Sequence, residues 1–138
     1  MRHLITFENY KYTKSVYTKD GRDYFFDSDK FSYKVSACDN INEPDYPFVG
    51  FKARVLNDEY AFYDMSIITN DDIYQVMNTI SDILSYDYSV YKNKGYKFSF
   101  IGDKEKSKQR LNLYKRVFGD KWDINYDEDN NQYYLIHK

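Results

Sequence analysis

Basic residues are concentrated in one segment of this chain, which runs from position 92 to position 116. Nine cations stand there against Asp103 and Glu105; they are Lys92, Lys94, Lys97, Lys104, Lys106, Lys108, Arg110, Lys115 and Arg116. The segment has a net charge of +7, which leaves −9 for the rest of a chain whose total is −2. Charge segregated in this way creates a local field that can select a partner although the whole molecule is mildly acidic.

The position of these cations suits anion binding at the start of a helix. A predicted strand stops at Gly102 and Asp103, and a predicted helix begins near Glu105. Helix N-termini present unpaired amides and partial positive charge, while arginine adds a bidentate fork and lysine a point charge. Because Tyr114 follows Arg110 by four residues, the two side chains can touch. The candidate binding residues are Lys104, Lys106, Lys108, Arg110, Tyr114, Lys115 and Arg116.

A competing interpretation is that this helix face is only solvated and balances the acidic remainder of the chain. If the face does bind, two classes of partner fit it. Surfaces rich in tyrosine and arginine are favoured at protein interfaces. RNA or single-stranded DNA is also bound by basic residues interleaved with stacking rings, for which Tyr91-Lys92 and Tyr96-Lys97 are candidates. The net acidity of the chain favours a protein partner with an acidic surface.

The residues typical of catalysis are few and scattered. His3 and His137 lie at opposite ends of the sequence, and Cys38 in an alternating strand is typical of a buried thiol rather than a nucleophile. Clustered Cys and His, as zinc requires, are not found in the sequence, and no glycine-rich loop could cradle phosphate. We therefore expect no cofactor and no metal site.

Carboxylates cluster twice, and solvated turns are the simplest interpretation of both clusters. The first comprises Asp20, Asp23, Asp27 and Asp29, and the second Asp127, Glu128 and Asp129. Their spacing lacks the glycine and the terminal glutamate of a calcium-binding loop. Paired carboxylates brought together by the fold could still carry out acid–base chemistry, so a small enzyme remains an alternative.

The length of 138 residues predicts one domain with a sizeable core, which we place at residues 1–138. A single cysteine excludes an internal disulfide and fits a reducing compartment. We expect no membrane association and a cytoplasmic location, because no apolar run approaches the ~20 residues that span a bilayer. The 17 tyrosines can line a core edge or a contact surface, although coding bias in an AT-rich genome accounts for them equally well.

The first half of the chain has the periodicity of strands. Strands are predicted at residues 4–7, 15–17, 24–26, 31–37, 51–55 and 60–68. The Asp20-Gly21 pair marks a tight turn, and Asp39 to Pro47 is predicted to be a loop because it contains two prolines.

In the second half, apolar residues recur at spacings of three and four. Ile73, Val76, Met77, Ile80, Ile83 and Leu84 form one stripe. This predicts a helix that is capped near Asp71 and ends near Tyr86. A strand at 96–101, a helix at 105–118 with Gly119 as left-handed terminator, and strands at 122–126 and 132–136 follow. This order predicts an α+β fold, a mostly antiparallel sheet with both helices packed on one face.

The C-terminal half resembles a family of small proteins from Bacteroidota and their phages that is known as a domain of unknown function. In that family a capped helix precedes a strand, a Gly or Asp stop, and a helix with Arg, Leu and an aromatic residue. The matching residues are Ile73, Thr79, Ile80, Ile83, Gly102, Asp103, Arg110, Leu113 and Tyr114. The similarity covers roughly residues 49–122, and it implies this order of elements and no activity.

These observations favour a non-enzymatic protein-binding module. Its most concrete version is a phage or bacterial protein that occupies a host or defence factor, such as an anti-defence inhibitor. A nucleic-acid-binding protein that uses the basic 92–116 segment is the second hypothesis, and a small enzyme is the third.

Overall fold

The computed structural model describes residues 9–56, 63–64, 73–99, 111–112, 114–127, 129–130 and 132–138. In chain order the elements are β1 Tyr12–Thr18, β2 Gly21–Asp27, β3 Phe31–Cys38, β4 Phe48–Val55, β5 Tyr63–Asp64, α1 Ile73–Tyr91, β6 Gly95–Ser99, α2 at 111–112 and 114–118, β7 Trp122–Asp127 and β8 Gln132–His137. The strands predicted for the described ranges are present. The predicted strand at 4–7, the helix cap near Asp71 and the start of the second helix lie outside these residues.

The described strands form one eight-stranded sheet in the order β1-β2-β3-β4-β6-β8-β7, with β5 paired to β4. Every pairing is antiparallel except that between β4 and β6, which is parallel with Phe48 opposite Lys97. The α+β class and the mostly antiparallel sheet are therefore confirmed, with the sheet as the dominant part.

The first four strands follow one another as a meander, in which short turns join β1 to β2 and β2 to β3, and the longer loop at 39–47 joins β3 to β4. Thr18 pairs with Gly21, so the turn predicted around Asp20 is confirmed. Gly21 in turn lies opposite Cys38 on β3, where a Cβ would come within 2.1 Å of the Ala37 carbonyl oxygen. A glycine is needed here because the backbones of β2 and β3 approach too closely for a side chain.

Helix α1 buries the predicted apolar stripe, with Val76, Ile80 and Leu84 fully buried. It continues to Tyr91, so the predicted end near Tyr86 is wrong. Lys92 then adopts φ 52°, and its amide donates to the Tyr88 carbonyl at 2.9 Å. A left-handed residue whose amide bonds the carbonyl four positions back is a recognised helix terminator, here built without glycine.

The core contains many tyrosines. Tyr24, Tyr33, Tyr96 and Tyr133 are buried to 1% exposure or less, and Trp122 lies beside Tyr96. Tyr24 and Tyr96 contact neighbouring rings edge to face, whereas Tyr33 and Tyr133 stack on phenylalanine rings, and aromatic quadrupoles favour both geometries. A part of the tyrosine content thus fills the interior of the sheet.

Helix α2 ends in a turn at Gly119. The prediction that Gly119 has a left-handed backbone is wrong, because among the described glycines only Gly21 has a positive φ. The amide of Lys121 donates to the Phe118 carbonyl at 3.1 Å and closes the turn without left-handed geometry. A Cβ on Gly119 would lie 2.3 Å from the Lys115 carbonyl oxygen, so the close approach of the backbone explains why a glycine stands here.

Neither helix, as far as the chain is described, combines the length and apolarity that crossing a membrane requires.

Candidate binding surface

The predicted binding residues divide into two groups. Four of them, Lys104, Lys106, Lys108 and Arg110, lie outside the described residues. The other three, Tyr114, Lys115 and Arg116, lie on α2, with Tyr114 buried and the two cations exposed.

Helix α2 is held to the sheet by aromatic contacts on its inner side. The ring of Tyr114 lies 5.5 Å from that of Phe98 and 6.4 Å from that of Phe51, between centroids. Phe118, one turn later, is fully buried. The ring of Tyr114 is therefore occupied in the core, and its role at a binding surface stays a prediction.

Lys115 and Arg116 point away from that core, on the same side as the exposed Asn112. Among the described acidic groups, none lies within salt-bridge distance of either cation. Both charges are thus held on an anchored helix, without an ion pair to any acid that the structure describes.

Two other cations of the basic segment are neutralised by the loop at 39–47. Lys97 Nζ lies 2.7 Å from Glu43 Oε1, and Lys94 Nζ lies 3.5 Å from Asp45 Oδ2. The loop reaches them because β6 runs parallel to β4, which follows the loop directly. The positive field of this segment is therefore smaller than the +7 counted from the sequence.

The Lys97–Glu43 pair is supported by aromatic side chains. The ammonium lies 5.3 Å from the ring centre of Tyr134 and 5.6 Å from that of Phe48, and the Tyr134 hydroxyl donates to Glu43 Oε1 at 3.2 Å. The hydrogen bond from Lys97 holds the pKa of Glu43 below its ordinary value, and the same bond raises the pKa of Lys97. Both groups are stabilised in their charged forms.

The tyrosines proposed as stacking platforms are engaged within the protein. Tyr96 is fully buried, and its hydroxyl donates to Asp87 Oδ2 at 2.6 Å. The ring of Tyr91 lies 3.8 Å from the guanidinium carbon of Arg22, and its hydroxyl donates to that of Tyr17 at 2.8 Å. A base could stack on Tyr96 only if the core opened.

Sequence reasoning missed a buried polar cluster around Asp87, a residue of α1 with no exposed surface. Arg22 binds the carboxylate with both arms, Nε to Oδ1 at 2.8 Å and Nη2 to Oδ2 at 2.6 Å. The hydroxyl of Tyr24 donates to Oδ1, and that of Tyr96 donates to Oδ2. Each carboxylate oxygen therefore has two donors, as a buried charge requires.

The Asp87 cluster explains why α1 is longer than predicted. Asp87 follows Leu84 by three residues and so continues the apolar stripe with a charged side chain. Arg22 likewise alternates with Tyr24 and Phe26, the buried residues of β2. A charge on an apolar stripe was the available signal, but spacing alone could not pair it with an arginine 65 positions away.

Burial and the Asp87 carboxylate raise the pKa values of both tyrosines in this cluster, Tyr24 and Tyr96, far above the ordinary value. Burial desolvates the phenolate, and the neighbouring carboxylate repels its charge. Both hydroxyls therefore stay protonated as hydrogen-bond donors, and the cluster has the character of a structural ion pair with its hydrogen bonds satisfied.

The remaining titratable candidates are also engaged. His137 stacks on Tyr88 at 4.4 Å between centroids, whereas His3 lies outside the described residues. Burial, reinforced by the carboxylates of Asp23, Asp20 and Asp39, raises the pKa of the Cys38 thiol and so favours its neutral form.

The second carboxylate cluster forms a turn. Asp127 accepts hydrogen bonds from the Asp129 amide at 3.2 Å and from the Asn130 side chain at 2.8 Å. The bond from Asn130 lowers the pKa of Asp127. The described part of the chain contains no group of three His, Cys, Asp or Glu side chains placed to hold a metal ion.

Comparison with protein-family models, with curated proteins and with solved structures gave no match to this chain.

Proposed function

We propose that this chain is a non-enzymatic binding module that docks an acidic surface of a partner protein through the outer face of α2. The proposal rests on one observation. Lys115 and Arg116 are exposed and have no acidic partner among the described residues, whereas Lys94, Lys97 and Lys121 are each paired. Retaining unpaired charge on one face favours recognition of a complementary surface.

The anchoring of α2 supports this proposal. Tyr114 and Phe118 fix the helix through the core, so the two cations are presented without the cost of ordering a loop. Arginine is also among the residues enriched at the energetic centres of protein interfaces. The cations predicted at residues 104–110 would extend this face toward the start of the helix.

The proposal also covers the number of domains and the side of the sheet on which the helices pack. We propose a single cytoplasmic domain in which both helices cover one face of the sheet. Support comes from β6, where Tyr96 contacts Asp87 of α1 and Phe98 contacts Tyr114 of α2. Residues two apart on a strand share a face, so the two contacts lie on the same side. We also propose that the chain belongs to the Bacteroidota and phage family that it resembles. In this proposal its partner is a host or defence factor, which the chain occupies.

The test compares two double variants with equal change in charge. Lys115→Glu/Arg116→Glu reverses the α2 face, and Lys11→Glu/Lys19→Glu reverses two exposed cations at the β1 end of the sheet. Each protein is used to capture partners from a bacterial lysate at low salt, with quantification by mass spectrometry. We expect a protein that wild type and the β1 variant retain and that the α2 variant loses.

Binding is then measured with the purified partner. The Lys115→Glu/Arg116→Glu variant should bind the purified partner at least about tenfold more weakly than wild type, an effect of the size that charged pairs at interfaces produce. Equal retention by all three proteins would contradict the proposal. A partner that nuclease treatment removes, with affinity for oligonucleotides that falls steeply as salt rises, would instead support the nucleic-acid alternative.

A further inference from the structure

The end of α1 meets β1, a strand at one edge of the described sheet, through two tyrosines. The hydroxyl of Tyr91 donates to that of Tyr17 at 2.8 Å, although the two residues are 74 positions apart in the sequence. Tyr91 is half-buried as the last residue of α1, whereas Tyr17 is 73% exposed. The two phenol oxygens are therefore in direct contact at a place that solvent and small solutes reach.

Arg22 restrains one member of this pair. Its guanidinium carbon lies 3.8 Å from the centre of the Tyr91 ring, and the same guanidinium is held by Asp87 in the buried ion pair. The Tyr91 ring is thus stacked on a fixed cation. The backbone of Tyr17 is fixed opposite Arg22 in the register of β1 and β2, but most of its side chain lies in solvent and can rotate.

Two phenols in such contact are suited to oxidative coupling. Loss of one electron and one proton turns a phenol into a neutral radical, whose unpaired electron is spread over the oxygen and the ortho and para ring carbons. A hydrogen atom can pass along an O–H···O bond between two phenols, so a radical formed on either ring is shared by both. The ortho carbons adjoin the carbon that carries the hydroxyl, so contact between the hydroxyls also brings ortho carbons of the two rings close together.

Two other tyrosine pairs with close rings differ in the features that matter. Tyr126 stacks on Tyr133 at 4.5 Å between centroids, but Tyr133 is buried. Tyr46 meets Tyr134 edge to face at 5.4 Å, and the hydroxyl of Tyr134 donates to Glu43. The Tyr17–Tyr91 pair, by contrast, combines exposure to solvent with a contact between the two hydroxyls.

We propose that Tyr17 and Tyr91 form a site of oxidative cross-linking, at which hydrogen peroxide acting through a haem peroxidase joins the two rings as dityrosine. Each phenol loses one electron and one proton to the oxidant. The two radicals form a carbon–carbon bond between ortho carbons, and the hydrogens of those carbons move to the oxygens as the rings regain aromaticity. In sum, two tyrosines and one hydrogen peroxide give one dityrosine and two water molecules. This inference is independent of the proposed function, because neither Lys115 nor Arg116 takes part in it.

The bond would tie an edge strand to the end of the long helix across 74 positions of the chain. A cross-link that closes a long loop restricts the unfolded chain more than the folded one. Peroxide treatment should therefore raise the urea midpoint of unfolding of wild type and leave that of Tyr17→Phe unchanged. Equal shifts in the two proteins would contradict this tie.

The direct test treats the purified full chain with hydrogen peroxide and a haem peroxidase, followed by proteolysis and mass spectrometry. We expect a linked pair of peptides that contains Tyr17 and Tyr91, lighter than the sum of the two peptides by two hydrogen atoms, together with the blue fluorescence of dityrosine. A mixture of ¹⁵N-labelled and unlabelled chains distinguishes a bond within one chain from a bond between two. Linked peptides should be entirely labelled or entirely unlabelled.

Three substitutions sharpen the result. Tyr17→Phe and Tyr91→Phe keep the ring and remove the phenol oxygen, and each should lower the yield of dityrosine at least about tenfold, because proximity accelerates the coupling of this pair. Tyr126→Phe removes the hydroxyl of a tyrosine that is 40% exposed and should leave the yield unchanged. The inference is overturned if no peptide joins Tyr17 to Tyr91, if the joined peptides come from two different chains, or if either of the first two variants keeps the wild-type yield.

Discussion

At the scale of single residues, stability depends on charges that are buried together. Asp87 and Arg22 are both removed from water. The fold tolerates these two buried charges because they form an ion pair and because two tyrosine hydroxyls donate the remaining hydrogen bonds to the carboxylate. A buried pair of this kind contributes little against an apolar replacement, yet the loss of one partner leaves an uncompensated charge.

Replacing Asp87 with Asn should therefore be strongly destabilising. We expect the free energy of unfolding to fall by about 3–5 kcal/mol, because the Arg22 guanidinium stays buried without its counter-charge. Urea unfolding followed by circular dichroism measures this change. Asp123→Asn, an exposed carboxyl 4.0 Å from Lys138 Nζ, is the control and should change stability by less than about 0.5 kcal/mol.

A double-mutant cycle separates the interaction energy of the Asp87–Arg22 ion pair from the packing contribution of the two side chains. In the Asp87→Asn background, the further change Arg22→Met removes a charge that has already lost its partner. It should therefore cost less than in wild type. Equal costs in both backgrounds would contradict the assignment of Asp87 as the counter-ion of Arg22.

The Glu43–Lys97 pair should make stability depend on pH in the acid range. Glu43 has a folded-state pKa below its unfolded value, chiefly because Lys97 donates to it. Its contribution is complete above the unfolded-state pKa of about 4.3 and disappears as pH falls through the lower folded-state value. The difference in unfolding free energy between wild type and Lys97→Met should thus shrink below about pH 4, as measured by urea unfolding from pH 3 to 7.

Lys94→Met serves as the matched control for this pH series. Its partner Asp45 is 3.5 Å away, and both side chains are mostly exposed, so the pair is screened by solvent. A difference between wild type and Lys97→Met that stays constant down to pH 3 would show that Glu43 is not the group concerned.

At the scale of elements, the end of α1 is set by one residue with an unfavourable backbone. Lys92 holds φ 52°, a conformation that costs an L-residue with a Cβ about 1–2 kcal/mol and costs glycine almost nothing. The helix still ends there, because the Lys92 amide closes the last turn and Gly95 must enter β6 close to the Leu135 carbonyl.

Lys92→Gly should raise the free energy of unfolding by about 1 kcal/mol, since it removes this backbone cost at an exposed position. Thermal and urea unfolding measure the gain. Lys92→Ala removes the same side chain but keeps the Cβ, so it should bring no gain. If the two variants are equally stable, the left-handed conformation is not the source of the effect.

The sequence predicted those elements whose apolar periodicity is uninterrupted. Phe31 to Ala37 alternate along β3, and the stripe from Ile73 to Leu84 marks α1, so local spacing was sufficient for both. The prediction missed the last turn of α1 because Asp87 is a polar residue, which the apolar pattern excludes. It is nevertheless buried, because its charge is paired with that of Arg22. At the candidate site, the neutralisation of Lys97 depends on which strand lies beside β6, and no local pattern specifies that neighbour.

At the scale of the whole molecule, the sheet consists of two antiparallel sections. Strands β1 to β4 form one section, and β6, β8 and β7 form the other. They meet where β4 and β6 run parallel, at the single register pair of Phe48 and Lys97, with the Lys97 amide donating to the Pro47 carbonyl at 2.9 Å. The loop at 39–47 spans this joint through Glu43.

Removing this connection should loosen the joint before the rest of the sheet. In Glu43→Ala we expect amides of β6 to exchange with deuterium faster than in wild type, while those of β3 keep their rate, because opening is local. Exchange followed by mass spectrometry measures both strands. Asp45→Ala, which removes only the exposed pair with Lys94, is the control, and equal acceleration of β3 and β6 would contradict a local opening.

The parallel joint also has a consequence for the order in which the chain folds. The β1–β2, β2–β3 and β7–β8 hairpins close over a few residues, whereas Phe48 and Lys97 are 49 positions apart. Bringing distant segments together costs loop entropy before any contact rewards it, and such contacts slow folding. We therefore expect the hairpins to be early events and the meeting of the two sections to be the rate-limiting one, with α1 shortening the distance that the chain must search.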